Sequence, residues 1–254
     1  MVLYNKRIED LQTLPALSSS EVVGNIILCD NSEISLHNED ALFDLGPKVC
    51  YLPMGGNLGI ARAYNKAIKY VQSEYVCLFD DDTVFPSDYF EEVAKEIAKT
   101  KAHVLLPLVF AKSHLLSPCK KEKNRIRGLV EPYCFEKIEN LSAINSGMVV
   151  RSSVYDDYQY NEELFLDNVD HDFMDYVRLQ NISIRIMKHL VLYQDYSRDS
   201  FDKNAELKRF RIWKKDNRAY YRKQGLQGLL TSFIEEGDRR LMLAKKYKSI
   251  LFLI

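Results

Sequence analysis

Three consecutive aspartates, Asp80, Asp81 and Asp82, stand directly after the apolar run Tyr75-Val76-Cys77-Leu78-Phe79. That run reads as a buried strand, and packing alone poorly explains a carboxylate placed at its end. Asp80 and Asp82, one residue apart beyond a rigid strand, can share a divalent ion together with a phosphate or a ribose. Oxygen donors of this kind select Mg²⁺ or Mn²⁺, which bind through one or two carboxylates and complete their shells with phosphate oxygens and water. An ion held there offsets negative charge on a departing diphosphate. Two further polar clusters occupy equivalent places: Asp30-Asn31-Ser32 after the run Gly24 to Cys29, and Tyr4-Asn5 after Val2-Leu3. Any one of them is commonly a turn or a helix cap. Three strand ends carrying them point instead to one ligand-binding edge, because open α/β sheets bind ligands beyond the carboxyl ends of their strands.

The elements that position these residues alternate in the manner of βαβ units and a mainly parallel sheet. Strands are expected at residues 2–4, 24–29, 48–52, 75–79 and 103–110. Helices are expected at residues 8–17, 60–71 and onward from Pro86-Ser87-Asp88, with Ser87 or Asp88 as cap. The turn Gly55-Gly56-Asn57-Leu58-Gly59 leads into the second of these helices. Residues 112–132, rich in lysine and arginine, read as an irregular loop. Asn145-Ser146-Gly147 reads as a turn entering a strand, residues 169–179 as a helix and 182–187 as a strand. From Asn204 onward the pattern is helical and basic.

Composition narrows the class. The 254 residues are 46% hydrophobic and 28% charged, with a formal net charge of -1. That is an ordinary globular balance, and it argues against a nucleic-acid binder, which would be strongly basic. Cys29, Cys50, Cys77, Cys119 and Cys134 are odd in number, widely spaced and without a CxxC pair. They fit neither a disulfide framework nor a zinc site, and a reducing, cytoplasmic setting follows. No signal-peptide pattern opens the sequence, and no stretch approaches the roughly 20 apolar residues of a membrane span. A cytoplasmic protein, at most peripheral at the inner face of the membrane, is expected.

The run Asn57 to Ile68 (NLGIARAYNKAI), followed by Tyr75 to Pro86 (YVCLFDDDTVFP), resembles the bacterial family 2 glycosyltransferases. Within that family it is most similar to rhamnosyltransferase-like members that build cell-surface polysaccharide, and the resemblance covers roughly residues 1 to 200. It implies a GT-A, Rossmann-like fold carrying a DXD motif, with residues 1–110 as the nucleotide-sugar half and 111–200 as the acceptor half. Residues 201–254 then form a basic helical extension. The resemblance further implies an inverting transfer from a UDP- or dTDP-sugar to a saccharide, often lipid-linked, acceptor. Tyr4 and Asn5 would close the first strand, with Tyr4 at the base pocket, and Asp30 would pair with the pyrimidine. Asn57, Arg62 and Asn65 would line the nucleotide and phosphate side. Asp80 would lie near ribose and metal, Asp82 would be the main metal ligand, and Asp81 has no assigned role. The segment Phe165 to Arg178 (FLDNVDHDFMDYVR) is similar to the one carrying the family's base. Its register gives Asp170 that role, with Asp172 next and Asp167 third.

Two features depart from the family pattern. Gln194 stands where a late histidine often completes the metal site, so Gln194 or Asp195 would supply an oxygen there, or water would fill the position. Tyr176 occupies the place of an arginine, with Arg178 displaced from it. In the C-terminal region, Phe210, Trp213, Tyr220 and Tyr221 recur at near-helical spacing among basic residues. Either this helix packs its aromatic stripe on the main domain, or its charges approach anionic lipid. Two other functions fit the sequence less well. A nucleotidyltransferase would show a glycine-rich basic loop after the first strand, which Tyr4-Asn5-Lys6-Arg7-Ile8 is not. A non-catalytic nucleotide-sugar-binding subunit of a transferase complex would not need Asp30, Asp80, Asp82 and Asp170 together.

Overall fold

The computed structural model describes residues 1–122, 125–129, 135, 138–194 and 202–253. Cys134 and Asp195 lie outside them. The first half runs β1 (Val2–Leu3), α1 (Leu14–Ser19), β2 (Ile26–Asp30), α2 (Leu42–Leu45), β3 (Val49–Pro53), α3 (Ile60–Ile68), β4 (Tyr75–Cys77) and α4 (Tyr89–Thr100). It continues through β5 (Val104–Ala111), β6 (His114–Ser117), β7 (Cys119–Glu122), β8 (Arg125–Arg127), β9 (Leu141–Ser142) and β10 (Val149–Arg151). The chain then forms α5 (Val169–Leu179), β11 (Ile184–Tyr193), α6 (Lys203–Arg222) and α7 (Gly225–Tyr247).

Strands β1, β2 and β3 pair in parallel in the order β1-β2-β3. A second sheet has the order β11-β5-β10-β4, in which β11 and β5 are parallel and β10 runs antiparallel to both neighbours. A parallel bridge from Val2 to Asp80 joins the two sheets, so the carboxyl ends of β1 and β2 and the end of β4 face one edge. The result is the mainly parallel α/β sheet expected from the sequence.

Successive residues of a strand point to opposite faces, and the core divides accordingly. Val104, Leu106, Met148 and Val150 pack with Ala61 and Tyr64 of α3, Phe173 of α5 and Tyr220 of α6. Leu105, Val109 and Val149 pack on the other side with Leu14 and Leu17 of α1 and with Tyr89, Phe90 and Val93 of α4. Helix α6 therefore shares a core with the sheet. Ala219, Tyr220 and Tyr221 belong to the same buried cluster as β5 and β10, and Phe210, Leu243 and Phe252 close the joint between α6 and α7.

Three local readings change. The helix expected over 8–17 is a short 3-10 turn at Ile8–Asp10 followed by α1, which has a proline in its first turn. Pro15 lacks an N–H and fixes its φ, so it starts a helix and cannot sit inside one that began at Ile8. The loop expected at 112–132 contains β6, β7 and β8, with β7 between β8 and β9 in a small antiparallel sheet. Its strands β7 and β8 carry Lys120, Lys121, Arg125 and Arg127, and these charges hide the alternation. The helix expected to reach residue 71 ends at Ile68.

Gly147 shows how tightly the edge is built. It sits at φ +74, and its N–H donates to Leu78 O at 2.7 Å, while Tyr89 Oη donates to Gly147 O at 2.7 Å. A Cβ there would meet Leu192 Cδ1 at 2.2 Å and Pro107 Cγ at 3.0 Å. Gly147→Ala should therefore destabilise the fold by about 2 kcal/mol or more, from overpacking and positive φ together. Equilibrium denaturation would check this, and a loss within ~0.5 kcal/mol of zero would contradict it.

Candidate active site

Asp80 follows the buried pair Leu78-Phe79 and is tied to β1 by the bridge to Val2. Its Oδ2 accepts from Ser146 Oγ at 2.6 Å and from Gln194 Nε2 at 3.1 Å. Burial raises the pKa of this carboxyl, and the nearby charges of Asp170 and Asp81 raise it further, against the Ser146 and Gln194 hydrogen bonds. Asp82 shares Gln194 Nε2 at 3.5 Å, and desolvation and then the Asp80 charge raise its pKa too. Asp81 also borders the cleft but is tied to the chain after β1, accepting from Tyr4 N–H at 2.9 Å, with Lys6 Nζ donating to Asp81 O at 2.5 Å. It holds the chain after β1 in place. Gln194 turns its amide N–H toward the two carboxylates, while its Oε1 accepts from Ser146 Oγ at 3.3 Å. The expected oxygen ligand thus presents a donor in this arrangement, which is what a neutral amide can offer two anions.

The residues expected on the nucleotide side divide. Tyr4, Asn31 and Asn57 line the cleft. Tyr4 is 46% exposed, and its hydroxyl donates to Glu33 at 3.1 Å. Asn31 locks the glycine turn: its Nδ2 donates to Asn57 Oδ1 at 2.9 Å, and its Oδ1 accepts from Leu58 N–H at 2.8 Å. Asn5 is a joint of the turn, at φ 50, donating through N–H to Ser32 Oγ and accepting from Glu33 N–H. Asp30 is buried, and both its oxygens are engaged, by Ser32 N–H at 3.0 Å, Asn38 Nδ2 at 2.8 Å and Tyr51 Oη at 2.7 Å. Desolvation pushes its pKa up, but these bonds outweigh it and hold the carboxyl below its ordinary range.

Asn5 and Asp30 lie behind the cleft lining, and two further expected residues are also placed away from it. Asn65 is buried and pairs with the backbone of Tyr160 in both directions at 2.9 Å, so it ties α3 to the segment before α5. Arg62 pairs on the surface with Glu162 at 3.2 Å. The helical spacing of these two fits the nucleotide side, but their partners lie across the chain, where spacing gives no information.

The opposite wall is the segment 165–171. Asp170, in the first turn of α5, lines the cleft, and its Oδ1 accepts from His171 N–H at 2.8 Å. Asp172 does not line it. That side chain is buried against Lys223 Nζ at 2.9 Å, because two residues along a helix lie on different faces. Asp167 is gripped by Arg209 of α6 through both carboxylate oxygens. Asp216, also on α6 and 0% exposed, accepts from the N–H groups of Phe165, Leu166 and Asp167 at 3.0, 2.7 and 2.8 Å. Phe165 O in turn accepts from Ile60 N–H at 2.7 Å, an approach that Gly59 permits, since a Cβ there would lie 2.7 Å from that oxygen.

The cleft enclosed by these walls has a volume of about 1440 Å³ and takes further lining from β8, α6 and α7, including Arg127, Trp213 and Arg239. It brings Tyr4, Asn57, Asp80, Asp82, Asp170 and Gln194 to one space. Among the described residues, no three His, Cys, Asp or Glu side chains are grouped to hold a metal by themselves. The wall from α6 and its buried Asp216 were not anticipated. The available signal was an isolated acid inside a strongly basic helix.

A search of curated protein sequences found no match. Among solved structures, residues 1–349 of S. aureus TarS align at a TM-score of 0.56 and 16% identity, over 87% of this chain and 63% of that one. The same protein in complex with UDP-GlcNAc aligns at 0.55 and 14% identity, over 87% and 65%. GalNAc-T7 with UDP, GalNAc and Mn²⁺ aligns at 0.59 and 9% identity, over 77% and 43%. This chain therefore spans less than two thirds of each, and at these identities the likeness is one of fold, the GT-A α/β fold. The family model described as Glycosyl transferase family 2 matches residues 17–159, more than half of the sequence. On that match and this fold, the chain belongs to glycosyl transferase family 2.

Proposed function

We propose that the chain transfers a sugar from a UDP- or dTDP-sugar to a saccharide acceptor, with inversion at the anomeric carbon. The observation that carries the reading is the shared cleft: Asp80, Asp82 and Asp170 all line it, and the charge of Asp170 is felt at Asp80. Asp170 takes the proton of the acceptor hydroxyl as that oxygen attacks, the single carboxylate an inverting transfer requires. Tyr4 and Asn57 hold the nucleotide beyond the ends of β1 and β3, with Asp30 bracing the turn beneath them. The TarS and GalNAc-T7 structures, solved with UDP-GlcNAc and with UDP respectively, support a uridine donor. A lipid-linked saccharide in surface polysaccharide synthesis fits the size of the cleft and the exposed Leu226, Leu230, Phe233 and Leu241 of α7, which offer a surface for peripheral membrane contact.

The residues present suit Mg²⁺ or Mn²⁺. Asp80 and Asp82 are two hard oxygen donors whose proton affinity burial raises, with the Asp80 charge raising that of Asp82 further, a site short of positive charge. Asp82 and Asp80 would hold the ion, and Gln194 would join them by turning its amide oxygen inward. Bound there, it would neutralise charge on the leaving diphosphate.

Asp170→Asn should lower transfer by ~10²–10⁴-fold while leaving donor affinity nearly unchanged. Nucleoside diphosphate release from a panel of UDP-, dTDP- and GDP-sugars, paired with calorimetric donor binding, reads both. Full turnover in the variant removes Asp170 as base. A folded chain that binds no donor overturns the transferase reading, and binding without turnover in the unaltered chain favours the non-catalytic subunit.

The raised Asp82 carboxyl gives a second prediction. Its proton is held to higher pH than in the unfolded chain (~3.9), so the folded state loses stability as pH rises through the folded value. Asp82→Asn removes that loss. The variant should melt above the parent at neutral pH, and the gain should vanish in acid, where the parent is protonated. Mn²⁺ should then raise the melting temperature of the parent more than that of the variant. Equal shifts in a thermal scan with and without EDTA would place the ion elsewhere.

A further inference from the structure

The loop that delivers Asp170 to the cleft is held mainly from outside its own element. Residues 165–167 present three successive N–H groups to a single carboxylate, Asp216, which is fully buried on α6. Successive N–H groups converging on one point form an anion-binding nest, here filled by the protein's own side chain. Seven residues earlier, on the same face of α6, Arg209 takes both oxygens of Asp167. The helix thus grips the loop by backbone and by side chain at once. On the far side, Phe165 O is fixed by Ile60 N–H at the start of α3, beside the glycine turn that carries Asn57. Immediately after the gripped residues the backbone turns through Asn168 at φ 63 and enters α5, whose second residue is Asp170. Small changes in the path of 165–167 therefore rotate the first turn of α5 and move the Asp170 carboxylate relative to Asp80.

We propose that Asp216 is a positioning residue for the transfer reaction: the buried carboxylate on α6 fixes the 165–167 backbone, and through it the place of Asp170 in the cleft. This rests on Asp170 being the base. It makes the C-terminal helix part of the catalytic unit. The alternative is that Asp216 only adds stability, as any satisfied buried group would.

The substitution Asp216→Asn discriminates. An amide keeps one acceptor oxygen and turns an NH₂ toward N–H groups that need an acceptor, so the loop must shift. Displacements of this size in a catalytic group cost up to about a hundredfold in rate. The expected result is a fall of roughly tenfold to a hundredfold in kcat, with donor KM and calorimetric donor affinity nearly unchanged, partial recovery in Asp216→Glu, and a displaced acid limb of the kcat–pH profile. A kcat within twofold of the parent overturns the proposal. So does a parallel loss of donor affinity and kcat with an unmoved pH profile, which is the pattern of a purely structural residue. A measurement on the unaltered chain guards against a variant that does not fold. The amides of Leu166 and Asp167 should exchange with solvent as slowly as those of β5, and fast exchange there also overturns the proposal. If Asp170→Asn is inactive while Asp216→Asn is not, this inference fails alone; if Asp170→Asn is active, the base assignment fails first.

Discussion

Mutual repulsion among carboxylates at one edge of the sheet is the constraint to which much of the surrounding structure answers. Burial raises the pKa values of Asp80, Asp81 and Asp82, and neighbouring carboxylate charges add to it: Asp170 and Asp81 at Asp80, Asp82 at Asp81, and Asp80 at Asp82. Left to themselves, such groups would spread apart or take up protons. They stay together because the elements carrying them have no freedom to separate. Asp80 is bridged to β1, Asp81 accepts from the backbone of Tyr4, and Asp170 is fixed by a helix whose core residues Val169 and Phe173 are buried. Ser146 and Gln194 supply neutral donors that soften the repulsion without cancelling it. A site organised in this way is complementary to positive charge before any ligand arrives, which is the physical content of electrostatic preorganisation.

What the sequence made legible follows from how local the signal is. An apolar run that stops at a carboxylate encodes both a strand and its functional end within a few residues. For that reason β2, β4, Asp80 and Asp82 could be read directly, and so could the glycine turn and the helix after it. Contacts between distant segments carry no such trace. Asn65 sits at the right helical spacing for the cleft, yet it holds the Tyr160 backbone 95 positions away. Asp172 looks equivalent to Asp170 in one dimension, but the helix turns it onto Lys223. The strands β7 and β8 are obscured because short strands rich in lysine and arginine share a composition with basic loops. The 3-10 turn before α1 shows that one proline outweighs a regular apolar pattern.

The C-terminal region poses the sharpest choice between two physical readings of one composition. A helix with this density of lysine and arginine reads as a surface for anionic lipid. In the structure most of those charges already have partners: Lys208 with Glu33, Arg209 with Asp167, Lys214 and Arg218 with Glu236, Arg222 with Glu163 and Lys223 with Asp172. Charges committed to partners attract headgroups weakly, because approaching lipid must compete with a pair already formed. The aromatic residues are committed as well, with Tyr220 and Tyr221 buried in the main core. The basic character of α6 thus answers acidic residues elsewhere in the fold, two of them, Glu33 and Asp167, on the cleft wall. Within this otherwise cationic helix, Asp216 does the opposite task. It is an anion because its partners are backbone N–H groups, and its sign is set by the loop it grips, just as the signs of its neighbours are set by Asp167, Asp172 and Glu236. The exposed apolar residues of α7, Leu226, Leu230, Phe233 and Leu241, are not among the side chains that make this grip, so a membrane contact through them would make no competing demand on it.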